Sequence, residues 1–397
     1  MRRAPLLVAL FLAALALRPQ LVGIGPLLPL VQKNLDVTHA VAGLLGTIPV
    51  LCMGLFAPPA SFLSGRVGSR RAIAVALGLI GCFGLARALV PGALAVILLT
   101  FPVGVGMGLA GALLPVAVKE RFPDRPGFAT GVYAAGITIG SAIAAAGAVP
   151  LAHLAGGWRT PLIVFAAFSA GLALLWLWLT RTEPVHVQVD LRPLKLPLRR
   201  LLAWRLVAAF FFMSSVFYGL NAWLPDVYVE RGWSDSSAGA LLAVLNTASI
   251  PCGFFVAWAA DHFGSRRLWL SGAAALQFFA LLGIVLWPAA GWGWAVLLGI
   301  AIGPLFPLTM TLPLDAAERP AEVAALAGMM LGLGYTLSAS SPLLLGAIRD
   351  LTGGFHAVLW ALVGAAFMLI VVDASFSPAR LAAGRSSLER PLGVESS

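Results

Sequence analysis

Charge is what this sequence has least of. Only 11% of its 397 residues are Asp, Glu, Lys or Arg, while 60% are hydrophobic. A soluble globular chain, with about a quarter of its residues charged, is thereby excluded. Cysteine is scarce too: Cys52, Cys82 and Cys252 each sit inside an apolar segment, which excludes a disulfide framework and a thiolate metal site. The five histidines, His39, His153, His186, His262 and His356, are scattered and offer no metal cluster. Segments of about ten residues with alternating polarity are missing, which argues against a membrane β-barrel. Gly104, Gly106, Gly108 and Gly111 lie in an apolar run, with neither a strand before them nor a Lys-Ser/Thr after them, so they form no phosphate loop. No nucleophile, base and acid fall into a recognisable pattern. An enzyme is not expected, nor any metal or cofactor. The 16 acidic residues fall in loops, tails or helix ends, so no buried carboxylate is expected either.

What is abundant is long apolar sequence. Twelve segments, near 5–30, 40–64, 72–90, 93–118, 129–154, 161–179, 206–229, 238–260, 268–287, 292–314, 323–348 and 357–376, each have the length of a transmembrane helix. The 43 glycines and 27 prolines fit this class, since membrane bundles use them for close packing and for breaks. The expected fold is all-α, a polytopic membrane protein of 12 spans. With the N-terminus inside, 20 of the 26 Lys and Arg residues fall on the cytoplasmic side, which also places the C-terminus inside. That asymmetry accounts for the net charge of +10 without a nucleic acid. The expected partners are a lipid bilayer and a small-molecule substrate, in a monomer of the inner membrane. The N-terminal apolar run continues past Arg18 without a small-residue cleavage site, so it is read as an uncleaved first span.

The chain divides into a six-helix half over 1–182, a cytoplasmic linker over 183–204, a second six-helix half over 205–376 and a disordered tail over 377–397. Gly68-Ser69-Arg70-Arg71 recurs as Gly264-Ser265-Arg266-Arg267, and at the same offset Leu28-Pro29 falls on Leu224-Pro225. Two six-helix halves in parallel repeat are the arrangement of a rocking carrier with its site between them, near the midplane.

Within the first span stands Arg18-Pro19. A guanidinium cannot shed its proton, and at mid-bilayer it costs roughly 2.5 to 3.5 kcal/mol. Pro19 has no N–H and frees the carbonyl of Leu15, so the helix is expected to bend there and face protein or water. With no acidic residue nearby in sequence, Arg18 reads as an anion-binding residue, the alternative being a buried cation paired within the protein. Arg87, late in the third span, either snorkels to the headgroups or joins Arg18 in holding a planar anion. By the repeat offset Arg18 corresponds to Ser214. The seventh span also carries Tyr218 and Asn221, three residues apart on one face, and Trp223. Asn246, Tyr335, Thr336 and Gln20 complete the set of candidate substrate contacts, against the structural reading of helix–helix hydrogen bonds.

Two groups of residues resemble a known family. The loop after the second span resembles the major facilitator pattern Gly-x-x-x-Asp-Arg-x-Gly-Arg-Arg, at Ser61–Arg70 and again at Ala257–Arg266, with Gly65 in place of Asp in the first copy and His262 in place of Arg in the second. The resemblance implies a gating role for Arg66, Gly68, Arg70 and Arg71, and for Asp261, Gly264, Arg266 and Arg267. More specifically, Leu17-Arg18-Pro19, Gly25-Pro26-Leu27-Leu28-Pro29, Arg87, Leu114-Pro115 before Lys119, Ala222-Trp223-Leu224-Pro225 and Phe306-Pro307 before Asp315 resemble the cyanate permease and 2-nitroimidazole transporter family. It implies the major facilitator fold and a carrier for a small anion or small polar molecule. The function expected is therefore secondary or facilitative transport of a cyanate-like anion or small planar solute by alternating access. Efflux of nitroimidazole-like or other neutral compounds is the alternative within transport. A transporter-like receptor or sensor is the alternative of another class, and neither the linker nor the tail is long enough to fold into a signalling domain.

Overall fold

The computed structural model describes residues 3–122, 126–154, 156–181, 196–263, 266–317 and 320–376. Most of the expected linker and all of the expected tail thus lie outside the described residues, which form helices and no strand.

The first span is broken into α1 (Arg3–Leu15), α2 (Pro19–Val22), a 3₁₀ turn at Gly25–Leu27, and α3 (Leu28–Leu35). The break follows from chemistry. Pro19 cannot donate to the Leu15 carbonyl, and the chain tightens so that Leu17 N–H donates to Ala14 O at 3.2 Å. The Ser169 hydroxyl donates to Ala16 O at 3.4 Å, so a neighbouring helix takes up part of what the break releases. The second span is α4 (His39–Leu55) and α5 (Ala57–Val67), bent by 54° just before Pro58 and Pro59. Gly68, at φ +81°, reverses the chain into α6 (Ser69–Leu89), a conformation that a side chain would strain.

Then follow α7 (Ala93–Arg121), α8 (Pro126–Leu154) and α9 (Arg159–Leu179), completing an N-terminal set. The C-terminal set comprises α10 (Leu201–Glu230), α11 (Asp235–Phe263), α12 (Arg266–Leu286), α13 (Gly291–Ala316), α14 (Pro320–Ser338), α15 (Ser340–Thr352) and α16 (His356–Ala374). Among the described residues ten helices are long and apolar enough to cross a membrane, or eleven if α4 and α5 count as one. The stretch expected as the eighth span lies within α11.

Buried apolar residues form two clusters that meet at the first-span break. One runs from Ala9 to Leu21 and includes Trp176 and Phe376; the other begins at Val22 and includes Trp223 and Phe355. The first marks the end of the bundle where α1 starts and α16 stops, here the linker end; the second marks the distal end. Leu98, Leu174 and Phe279 point outward, an apolar rim suited to lipid tails.

One expectation is corrected here. Asp226 is 7% exposed and Asp373 fully buried, so two carboxylates are inside the protein. Both stand near helix ends, as read, but Asp226 is met there by Gln32 and His39 of the N-terminal set, which position along one helix does not reveal.

Candidate functional site

Arg18 lies in the break between α1 and α2, and its guanidinium reaches across to the C-terminal set. Its Nη1 donates to the Tyr218 hydroxyl at 2.9 Å, and the ring centroid of Tyr218 is 5.8 Å away. The Tyr335 hydroxyl of α14 is a second hydrogen-bonding partner, so two hydroxyls of the C-terminal set meet one guanidinium. The residue as a whole is only 8% exposed. A permanent cation therefore stands at the seam between the two sets with neutral partners there. A planar fork of that kind is suited to an anion or to a polar planar solute.

The surroundings are aromatic. The rings of Tyr218 and Tyr335 are 6.4 Å apart, Tyr335 packs edge-on against Phe210 at 4.7 Å, and the Tyr218 hydroxyl also touches Met53 Sδ at 4.0 Å. Met53 and Phe210 were not singled out from sequence, since an apolar residue in an apolar helix gives no signal. No carboxylate pairs with Arg18 among the described residues.

Arg87 and Gln20 belong to a separate cluster inside the N-terminal set. Arg87 is fully buried; its Nη2 donates to Gln20 O at 2.7 Å and to Gln20 Oε1 at 2.6 Å, and its Nη1 to Thr100 Oγ1 at 3.1 Å. Gln20 Nε2 in turn donates to Leu162 O at 2.9 Å. Gln20 is thus tied to α6 and α9 two residues beyond Arg18.

The remaining candidates fall on α10 and its neighbours. Asn221 does share Tyr218's helix face, but it pairs with Asn246, whose Nδ2 donates to Asn221 Oδ1 at 3.1 Å. Ser214 is buried beside Ser215, and Thr336 donates to Gly332 O of its own helix at 2.7 Å. Trp223 stands further out, fully buried, with Nε1 donating to Pro342 O at 2.8 Å.

Beyond Trp223 the distal seam closes with polar contacts. Gln32 Nε2 donates to Asp226 Oδ2 at 3.3 Å, His39 Nε2 lies 3.7 Å from the same oxygen, and His39 Nδ1 is 2.8 Å from Asp350 Oδ1. Leu343 N–H donates to Thr47 Oγ1 at 3.2 Å. None of His39, Asp226 and Asp350 was singled out from sequence, because their meeting depends on two helix sets being brought together. Arg18, Gln32, His39, Ala40, Thr47 and Met53 thus meet the C-terminal set at the level of Arg18 and distal to it. No group of three or more His, Cys, Asp or Glu could hold a metal among those residues.

At the linker end, Arg70 Nε donates to Thr180 Oγ1 at 3.0 Å and Nη2 to Leu177 O at 2.8 Å, so the loop clamps the end of α9. Arg66 stacks over Phe62 at 4.2 Å, and Gly68 makes the turn before Arg71. Gly264 and the side chains of Asp261, Arg266 and Arg267 lie outside the described residues.

Comparison with known proteins agrees with this architecture. The Major Facilitator Superfamily pattern matches residues 6–339. The chain is 30% identical over 392 residues to the cyanate transport protein CynX of Escherichia coli (strain K12), covering 94% of this chain and 98% of that protein. It is 30% identical over 359 residues to the 2-nitroimidazole transporter of the same organism, covering 90% and 91%. Its fold matches a bacterial homolog of the human lysosomal transporter Spinster, with a TM-score of 0.75 at 17% identity over 99% of both chains. An all-α bundle of apolar spans, broken at a buried arginine and matched along most of its length, identifies the chain as a multi-pass transporter belonging to the Major Facilitator Superfamily.

Proposed function

We propose that this transporter carries a small anion, or a small planar polar solute of cyanate's kind, across the inner membrane by alternating access around Arg18. One observation carries the reading: a buried guanidinium at the seam meets the neutral hydroxyls of Tyr218 and Tyr335, and no carboxylate among the described residues answers its charge. An anion supplies the missing charge and further hydrogen-bond acceptors together.

In this reading residues 1–182 and 205–376 rock as two bodies of six spans joined by the linker 183–204, with both termini cytoplasmic and the protein monomeric. The cross-set hydrogen bonds at the Arg18 level and beyond support a state closed at the distal, outer end. Arg66, Gly68, Arg70 and Arg71 then govern the inner end by fastening the second-span loop to α9. The aromatic side chains around Arg18 and the equal identity to a 2-nitroimidazole transporter favour a second reading, export of neutral nitroaromatic compounds.

Thermal unfolding of the purified protein with cyanate, nitrate or 2-nitroimidazole separates the two. A ligand at 100 times its Kd stabilises the folded state by about 2.7 kcal/mol. An anion that raises the Tm of wild type but not of Arg18→Ala supports the first reading. A shift with 2-nitroimidazole alone supports the second, and equal anion shifts in both proteins would refute a site at Arg18.

A further inference from the structure

Arg87 is the other guanidinium buried in the N-terminal set, and its environment is unusual. It is fully buried, and its partners, Gln20 O, Gln20 Oε1 and Thr100 Oγ1, are all neutral. Its Nε is sealed from solvent with no partner, and no acidic group pairs with it among the described residues. A buried cation lacking a counter-charge is unfavourable, and an uncharged donor could satisfy the same neutral acceptors. The charge itself therefore calls for a role, and the connectivity points to one. Arg87 grips the backbone and side chain of Gln20, two residues from Arg18 and on the same broken segment. The Gln20 amide then fixes that segment to α9 through Leu162. Room for this comes from Gly84, one turn before Arg87, where a Cβ would stand 3.0 Å from Gln20 Nε2.

We infer that Arg87 sets the charge preference of the Arg18 site from behind, holding Gln20 in place and adding a second uncompensated positive charge without touching the ligand. The inference rests on the anion reading of Arg18 given above. A charge roughly 10 Å from a monovalent anion, at an effective dielectric constant of about 20, changes its affinity on the order of tenfold. A neutral solute in the same place is nearly indifferent to it. Arg87 is thus a specificity-determining residue rather than a binding one, and its two properties, grip and charge, are separable by substitution.

The test measures affinities of cyanate, nitrate and neutral 2-nitroimidazole for purified wild type, Arg87→Gln, Arg87→Lys and Arg18→Gln by calorimetry and thermal shift. Arg87→Gln is expected to weaken both anions about tenfold while changing 2-nitroimidazole less than twofold. Arg87→Lys, which keeps the charge but not the planar fork, is expected to keep anion affinity within about threefold. Equal losses for anions and the neutral probe in Arg87→Gln would mean a purely structural role and overturn the inference, as would unchanged anion affinity. If Arg87→Gln does not fold, Arg87→Lys decides: folded and anion-preferring upholds the inference, folded and indifferent to charge overturns it. Anion binding that survives Arg18→Gln, or is missing in wild type, overturns the reading of the site itself and this inference with it. Loss confined to Arg18→Gln leaves that reading standing and overturns only the role of Arg87.

Discussion

The Asp350 carboxylate caps a helix that belongs to the other set. Its Oδ1 accepts the backbone N–H of His39 at 3.1 Å and lies 2.8 Å from the His39 ring, while Oδ2 accepts the Ala40 N–H at 2.8 Å. These are the first N–H groups of α4, which nothing inside that helix can satisfy. The relation is returned: α15, whose last turns carry Asp350, begins beside Thr47 of α4, and the Thr47 hydroxyl accepts the N–H of Leu343. Each helix supplies an end group of the other, so opening the distal end uncaps both at once.

Asp350→Ala is expected to weaken the closed distal end by about 1–2 kcal/mol, the usual worth of a cap with a charge at a helix N-terminus. Amide hydrogen exchange over residues 39–47 should then speed up roughly fivefold or more. An exchange rate unchanged within twofold would show that the carboxylate does not hold the seam.

Tyr218→Phe removes one hydrogen bond that Arg18 makes across the seam and leaves Tyr335 as its partner there. Hydrogen bonds to charged groups contribute about 1.5–3 kcal/mol, so the ligand-free variant should unfold at a lower temperature by an amount of that order. Saturating cyanate should return part of the loss by occupying the freed donors. Chemical denaturation with and without the anion measures both effects.

Gly25 in the first span passes so close to α10 that a Cβ would stand 1.8 Å from Asn221 O. Backbone cannot swing aside as a side chain can, so Gly25→Ala should prevent this closed arrangement. Overpacking usually costs about 1–3 kcal/mol, and this contact belongs at the upper end. Uptake into proteoliposomes is expected to fall at least tenfold while the protein still inserts. Wild-type flux would contradict the close crossing.

Asp373 has both carboxylate oxygens buried and without partners among the described residues. A buried polar group left without a hydrogen bond costs about 1–3 kcal/mol, which an apolar residue of similar size recovers. A higher Tm is expected for Asp373→Leu, and a markedly lower one would reveal a partner gained in another state of the cycle.

The helical class and the family were legible because they depend on local quantities: apolar run length, the Arg18-Pro19 break and the spacing of Leu-Pro and Gly-rich motifs. The break in the first span lies where Pro19 denies Leu15 its donor, and Tyr218 on the seventh span meets Arg18. Less legible was anything needing two helices at once. Asp226 reads as a helix-end residue and is covered by Gln32 and His39. His39, one of five scattered histidines in the sequence, joins Trp223, Asp226 and Asp350 in space. Arg87 carries the same charge as Arg18, and only the packing separates their surroundings: one meets Tyr218 and Tyr335 across the seam, the other is enclosed by Gln20 and Thr100.

Where the first span breaks, α8 presents Gly136 and Gly140, and a Cβ on either would lie 2.5 Å from Phe11 O or 2.4 Å from Leu15 O. The broken segment is bedded backbone to backbone on α8, tied to α9 by Ser169 and held through Gln20 by Arg87. In the proposed rocking of the two sets, Arg18 would therefore travel with the N-terminal helices as a fixed berth, while Tyr218 on the opposite wall would move past it. A passenger held by that guanidinium would keep its seat throughout the crossing and see only the far wall change.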